Sequence, residues 1–297
     1  MPTWTSWSAA AATPCRATAT ENDPGPSRPG RALSLQTDIM TEYAIYPSLR
    51  DKPVFVTGGG SGIGESIVEH LCRQQARVFF VDIAEAASTA LVDRLKGEGL
   101  AVPLFRHCDL RDIADLRAAV AEAQKAIGPI RVLINNAAHD QRHAPETVEP
   151  DYWDERMAVN LRHQFFAAQA VQPGMRDAGG GSIINFGSVS WRLRQGGMPA
   201  YTSAKAGVEG LTRGLARDWG PQHIRVNTVM PGWVITQRQK DLWLTPEADE
   251  ERRKGQCIPD QVLPVHLAQM TLWLAADDSA MCTGQTFVVD AGWASGL

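Results

Sequence analysis

From Lys52 onward the chain alternates short β-branched or aromatic runs with longer stretches of helical period. The runs fall at residues 54–57, 78–82, 102–107, 132–135, 182–186, 225–229 and 286–289. Most are continuously apolar rather than alternating, the pattern of strands buried on both faces. Between them, as at 113–127 and 204–219, apolar residues recur at helical spacing. Such alternation leaves few architectures open. It predicts an α/β fold with a seven-stranded parallel sheet covered by helices on both faces, and right-handed crossovers make it doubly wound.

No internal repeat or linker interrupts residues 50–297, so one domain over 40–297 is expected. With 44% hydrophobic residues among 297, that domain can bury a sizeable core. Residues 1–39 differ: they are rich in Ala, Thr, Ser and Pro, carry the turn Pro24-Gly25-Pro26, and show no hydrophobic period. They are predicted to be a disordered extension, with Met40 as the natural start of translation. A net charge of −4 gives no basic face for nucleic acid or an anionic membrane. No apolar run approaches the roughly 18 residues of a membrane span. The five cysteines are widely spaced without a CxxC pair, which points to reduced thiols in the cytoplasm rather than disulfides or zinc.

The first strand ends in Thr57-Gly58-Gly59-Gly60-Ser61-Gly62-Ile63-Gly64 and runs into a helix. Glycines there allow a tight turn and close backbone approach, and the helix start offers free N–H groups to phosphates. Gly58, Ser61, Gly62, Ile63 and Gly64 are therefore expected on a dinucleotide. The second strand ends at Asp82, 18 residues beyond Gly64. An acid at that point bonds the ribose 2′-hydroxyl and repels a 2′-phosphate. The following Ile83, Ala84 and Glu85 offer no cation, so NAD is predicted over NADP. Asp109 and Leu110 end the third strand beside the adenine. Asn136 ends the fourth, at the expected switch in strand order, where ligands bind.

Tyr201 and Lys205 stand four residues apart, on one helical face. A phenol titrates near about 10; a neighbouring ammonium and a positive nicotinamide ring are expected to lower it. The tyrosine then takes a hydroxyl proton as hydride leaves the same carbon. Ser188, thirteen residues earlier at a strand end, is placed to hold the reacting oxygen.

These elements, TGGGSGIG (57–64), Asp82, Asp109, NNAA (135–138), Asn160, Ser188, YTSAK (201–205) and Pro231-Gly232 with Thr236, resemble the short-chain dehydrogenase/reductase family over about residues 50–295. The resemblance implies a single Rossmann-type domain. It implies that Asn160 kinks its helix and holds a water relaying protons to Lys205, that Lys205 also binds the nicotinamide ribose, and that Tyr201 is a cofactor contact too. Pro231, Val234 and Thr236 then face the carboxamide side of the cofactor. Ala138 departs from the family's usual glycine. A homotetramer is implied as well, for which the apolar stretches 211–219 and 271–276 offer faces.

Further segments, AIYPSL (44–49), YWDER (152–156), VNLRH (159–163), INFGS (184–188), CTG (282–284) and DAGW (290–293), resemble the sugar-oxidising branch of the family, the NAD-dependent D-xylose and related aldose 1-dehydrogenases. That implies oxidation of an anomeric hydroxyl to a lactone, with a small-molecule sugar as partner. The loop after Ala138 (His139, Asp140, Gln141, Arg142, His143) and the loop after Ser188 (Ser190, Trp191, Arg192, Arg194, Gln195) carry the aromatic and hydrogen-bonding groups a polyol needs. Asp140, Ser188, Ser190, Trp191 and Tyr201 are the expected sugar contacts. His139, Asp140 and His143 are not read as metal ligands, because Tyr201 and Lys205 already handle the proton. Two alternatives stay open: a reductase of ketones or acyl thioesters, and a catalytically silent NAD-sensing protein.

Overall fold

Every residue of β1 (Pro53–Thr57) is buried, which a strand achieves at the centre of a sheet covered on both faces. Its side chains alternate accordingly. Val54 and Val56 join a core with Ile67, Leu71, Leu95 and Leu272, whereas Phe55 joins a second core with Leu116, Val171 and Ile183. The computed structural model describes residues 43–294. The predicted disordered stretch 1–39 and Met40 lie outside the described residues. From Ala44 on, the described residues form one compact unit.

Around β1 lie β2 (Arg77–Asp82), β3 (Leu104–His107), β4 (Val132–Asn135), β5 (Gly181–Phe186), β6 (Ile224–Pro231) and β7 (Thr286–Val289). Their order is β3-β2-β1-β4-β5-β6-β7, and all pairs are parallel. Helices α1 (Gly62–Arg73), α2 (Glu85–Gly97), α3 (Ile113–Ile127), α4 (Pro150–Met157), α5 (His163–Asp177), α6 (Pro199–Trp219), α7 (Gln237–Leu242), α8 (Pro246–Gly255) and α9 (Pro264–Ala275) complete the unit. α1, α2 and α9 pack on the Val54 face; α3, α5 and α6 cover the Phe55 face. The chain leaves β1 toward β2 and leaves β4 toward β5, in opposite directions along the sheet. The crevice of a doubly wound fold opens at that divergence, beyond the carboxyl ends of β1 and β4.

Three boundaries differ from the sequence reading for identifiable reasons. β3 begins at Leu104, two residues late, because Pro103 has no N–H to give the ladder. α6 begins at Pro199, since proline at the first helical position sacrifices no hydrogen bond. β6 runs on to Pro231, which pairs with Val289 at the edge of the cleft. The stretch 271–276, read as an association face, packs inward: Leu272, Leu274, Ala275 and Ala276 are buried in the chain's own core. Trp219 packs against one core and Trp273 against the other. Among the described residues, no helix is long and apolar enough to cross a membrane, and the cysteines are free thiols.

Candidate active site

The glycine turn closes because two of its members carry no side chain. Gly58 has φ +68°, and a Cβ on it would lie 2.7 Å from Ala137 Cα. A Cβ on Gly64 would lie 1.8 Å from the Gly58 carbonyl oxygen, so no other residue can start α1 this close to β1. Asn136 Nδ2 donates to the Gly58 carbonyl at 2.7 Å, tying the turn to the end of β4. Gly62, Ile63 and Gly64 form the first turn of α1, whose N–H groups have no partner within the helix. A backbone cradle of this shape, at the positive end of a helix dipole, fits a pyrophosphate.

Asp82 flanks the cradle. Its Oδ2 accepts from Gly60 N at 2.8 Å and its Oδ1 from Ala84 N at 2.9 Å. The carboxylate is thus held in place by backbone, with lone pairs left for a ribose hydroxyl. Asp109 is paired with Arg111 at 2.6 Å, and that guanidinium holds its carboxyl below the usual range.

One cleft of about 1200 Å³ contains every residue expected to touch the cofactor, from Gly58, Ser61, Gly62, Ile63 and Gly64 through Asp82, Asp109, Leu110 and Asn136 to Pro231, Val234 and Thr236. Tyr201, Lys205, Ser188, Ser190 and Asp140 line it too. The volume exceeds the roughly 300–1,000 Å³ of a common single-ligand pocket, as a site for a dinucleotide and a second molecule must.

α6 carries Tyr201 and Lys205 into this cleft. Lys205 is 1% exposed, and its Nζ donates to the Phe186 carbonyl at 2.7 Å. The ammonium lies 5.7 Å from the centre of the Tyr201 ring. Burial pushes Lys205 down to about 7, against a smaller upward pull from Asp140. Tyr201 shifts the other way in the chain alone. Burial pushes it up to about 12, and the hydrogen bond from Ser188 only partly offsets this. The lowering expected from the sequence calls on the positive nicotinamide ring as well as Lys205; in the chain alone, where the Lys205 ammonium is bonded to the Phe186 carbonyl, the desolvation of Tyr201 prevails.

One expected residue lies elsewhere. Trp191 does not line the cleft: it packs against the cluster of Val189, Met230 and Ala294, with the Arg192 guanidinium 5.2 Å from its ring centre. Its position after a strand end could not reveal that the chain turns there and packs the half-buried indole away from the cleft. Asn160 sits within a wide π turn, Ala158–Arg162, a local distortion in keeping with the kink the resemblance implies. Its amide bonds His139 and Arg156, and its carbonyl accepts from Gln164.

The sequence reading missed the outer lobe of the cleft. Trp233, Trp243 and Trp293 line it together with Arg142, Arg238 and Gln239. Gln239 is central. It accepts from Trp233 Nε1 at 2.8 Å and donates to Asp140 Oδ2 at 3.0 Å. The Arg142 guanidinium lies 5.4 Å from the Trp243 ring centre. Trp233, two residues beyond Pro231, had a local signal. Arg238, Gln239 and Trp243 arrive through the path of α7 after β6, Trp293 through the turn after β7, and Arg142 through the loop after Ala138 that the sequence had already singled out. Among the described residues no cluster of three or more His, Cys, Asp or Glu is arranged to hold a metal.

A family model described as "Enoyl-(Acyl carrier protein) reductase", of the short-chain dehydrogenase type, matches residues 58–294. The chain belongs to the short-chain dehydrogenase/reductase family. Members of this family with curated descriptions include D-xylose 1-dehydrogenase of Caulobacter vibrioides, 48% identical over 84% of this chain and 98% of its own. The "Probable galactose dehydrogenase GalD" of Rhizobium meliloti is 47% identical over 83% of this chain and 96% of its own. A solved gluconate 5-dehydrogenase from Burkholderia cenocepacia, in complex with NADP and tartrate, superposes with TM-score 0.78 at 30% identity over 84% of this chain and 99% of its own. The chain is a dehydrogenase acting on CH–OH groups, with a nicotinamide cofactor, and its similarity supports a sugar substrate.

Proposed function

We propose that this short-chain dehydrogenase is an NAD-dependent aldose 1-dehydrogenase, with D-xylose as its leading substrate. The observation that carries the reading is a single cleft lined together by a dinucleotide cradle, by Ser188, Tyr201 and Lys205, and by three indoles with Asp140, Arg142 and Gln239. Indole faces stack on a sugar ring while the polar groups pair its hydroxyls, which cannot be left unsatisfied without cost.

Gly58, Ser61, Gly62, Ile63 and Gly64 hold the pyrophosphate, Asp82 the adenosine ribose, Asp109 and Leu110 the adenine, and Pro231, Val234 and Thr236 the carboxamide. Bound there, NAD supplies a hydride acceptor and a positive ring. Tyr201 Oη takes the proton of the anomeric hydroxyl, and Ser188 Oγ hydrogen-bonds the same oxygen. The C1–H bond gives up its electron pair as hydride, and C1 becomes the lactone carbonyl. Lys205 holds the cofactor's ribose hydroxyls and supports the phenolate. A homotetramer and a cytoplasmic setting are inferred from family membership.

Incubating the full chain with NAD and D-xylose, then following the sugar by carbon-13 NMR, is expected to show oxidation at C1 alone, as lactone and its hydrolysis acid. A keto sugar oxidised at another carbon would contradict the reading. NAD preference rests on Asp82. Asp82→Asn keeps the size and one acceptor but removes the charge, and is expected to cut the NAD/NADP ratio of kcat/KM at least about tenfold, the scale of one lost charged contact. An unchanged ratio would remove Asp82 from cofactor selection.

A further inference from the structure

His139, the first residue of the loop after Ala138, lines the same cleft as Tyr201 and Ser188. It is held from three sides. Its backbone N–H donates to Asn160 Oδ1 at 2.9 Å, and its carbonyl accepts from Asn160 Nδ2 at 3.2 Å. Its ring Nδ1 is within hydrogen-bond reach of Arg156 Nη1. A guanidinium has donors and no acceptor, so Nδ1 has to be the acceptor. That leaves the imidazole neutral, with its one proton on Nε2.

Arg156 is well fixed for this task. It is 4% exposed, its Nη2 is paired with Glu155 at 2.6 Å, and its guanidinium lies 5.3 Å from the Tyr152 ring centre. Glu155 is in turn paired with Arg111 at 2.9 Å. The charged groups facing His139 are Arg156 and Arg238, which oppose its protonation, and Asp140 and Glu155, which favour it. Burial and the two guanidiniums prevail and hold its pKa below the usual histidine value.

We propose that His139 is a specificity-determining residue that donates its Nε2–H to one hydroxyl of the substrate, and that Arg156 is the positioning residue that fixes this tautomer. The inference rests on the sugar reading of the cleft. A donor whose proton cannot move to the other nitrogen selects an oxygen lone pair at one place on the ring. His139 is half-buried in the cleft. Once substrate fills the cleft, a sugar lacking that hydroxyl leaves the donor unpaired and shut off from water, which is how sites of this kind discriminate strongly.

The test combines kinetics with NMR on the full chain. For wild type, NADH formation is measured with aldoses and with their single-deoxy analogues. His139→Phe is expected to raise KM for the preferred aldose about tenfold or more with kcat changed less than about threefold. His139→Gln, whose amide oxygen can face Arg156 while its NH₂ donates to the cleft, is expected to recover most of that loss. One deoxy analogue is expected to be penalised in wild type and not penalised further by His139→Phe. Nitrogen-15 spectra of wild type are expected to show His139 with unprotonated Nδ1 and protonated Nε2 at neutral pH, and Arg156→Lys to disturb that assignment. An active wild type whose KM is unmoved in His139→Phe, or a proton found on Nδ1, overturns the proposal alone. A wild type inactive on every aldose overturns the sugar reading and this proposal with it.

Discussion

Tyr201→Phe is expected to lower kcat for sugar oxidation by about 10³-fold, within the roughly 10²–10⁴ that a positioned acid or base contributes. NADH binding, followed by fluorescence, should stay within about threefold, because Tyr201 is one cofactor contact among many and its main task is to move a proton. The size of the loss follows from the site. In the chain itself burial holds Tyr201 up at about 12, so the phenolate exists at working pH only through charge brought beside it. The wild-type rate of oxidation should therefore climb as pH rises from neutrality toward 10. In Tyr201→Phe that dependence should vanish with the activity. A variant retaining more than about a tenth of wild-type kcat would take the proton transfer away from Tyr201.

Lys205→Met is expected to cost about 10²–10³-fold in kcat/KM, the scale of losing one preorganised electrostatic partner, and to weaken NADH binding as well. It also tests the electrostatics of the fold without any ligand. With no cofactor or phenolate beside it, burial brings Lys205 down to about 7 in the folded chain, against about 10.4 when unfolded. Between these values the unfolded chain binds a proton that the folded chain does not, so stability rises with pH. Below about 7 both forms are charged, and the burial penalty is felt in full. Wild type should therefore gain stability relative to Lys205→Met as pH is raised from 7 toward 10, read from urea midpoints. Tyr201, raised to about 12, acts in the opposite direction only above about pH 10. A constant difference between the two proteins across that window would mean that Lys205 stays charged in the fold.

The parts of this site legible in the sequence are those carried by short, local patterns. The turn of Gly58 to Gly64 is a backbone requirement written in consecutive residues, and Asp82 marks the end of a strand whose apolar run is unmistakable. Tyr201 and Lys205 are joined by helical spacing. What the sequence hid depends on long-range packing. Trp243 and Trp293 lie 50 residues apart in the chain yet line one lobe, and no local pattern joins them. Trp191 was misplaced because a strand end predicts proximity to the cleft, not which way the following turn faces. The upward shift of Tyr201 in the chain alone was hidden for a related reason. Spacing puts an ammonium on the same helical face, but only the fold directs it to the Phe186 carbonyl at 2.7 Å and encloses both groups.

The central claim, that this cleft oxidises the anomeric carbon of an aldose with NAD, is tested most directly by initial rates of NADH formation across a panel of pentoses and hexoses, with hydrophobic secondary alcohols alongside. The account predicts measurable rates with aldoses, greatest with D-xylose, and little or none with the apolar alcohols. No rate with any sugar, or faster turnover of the apolar alcohols, would contradict it.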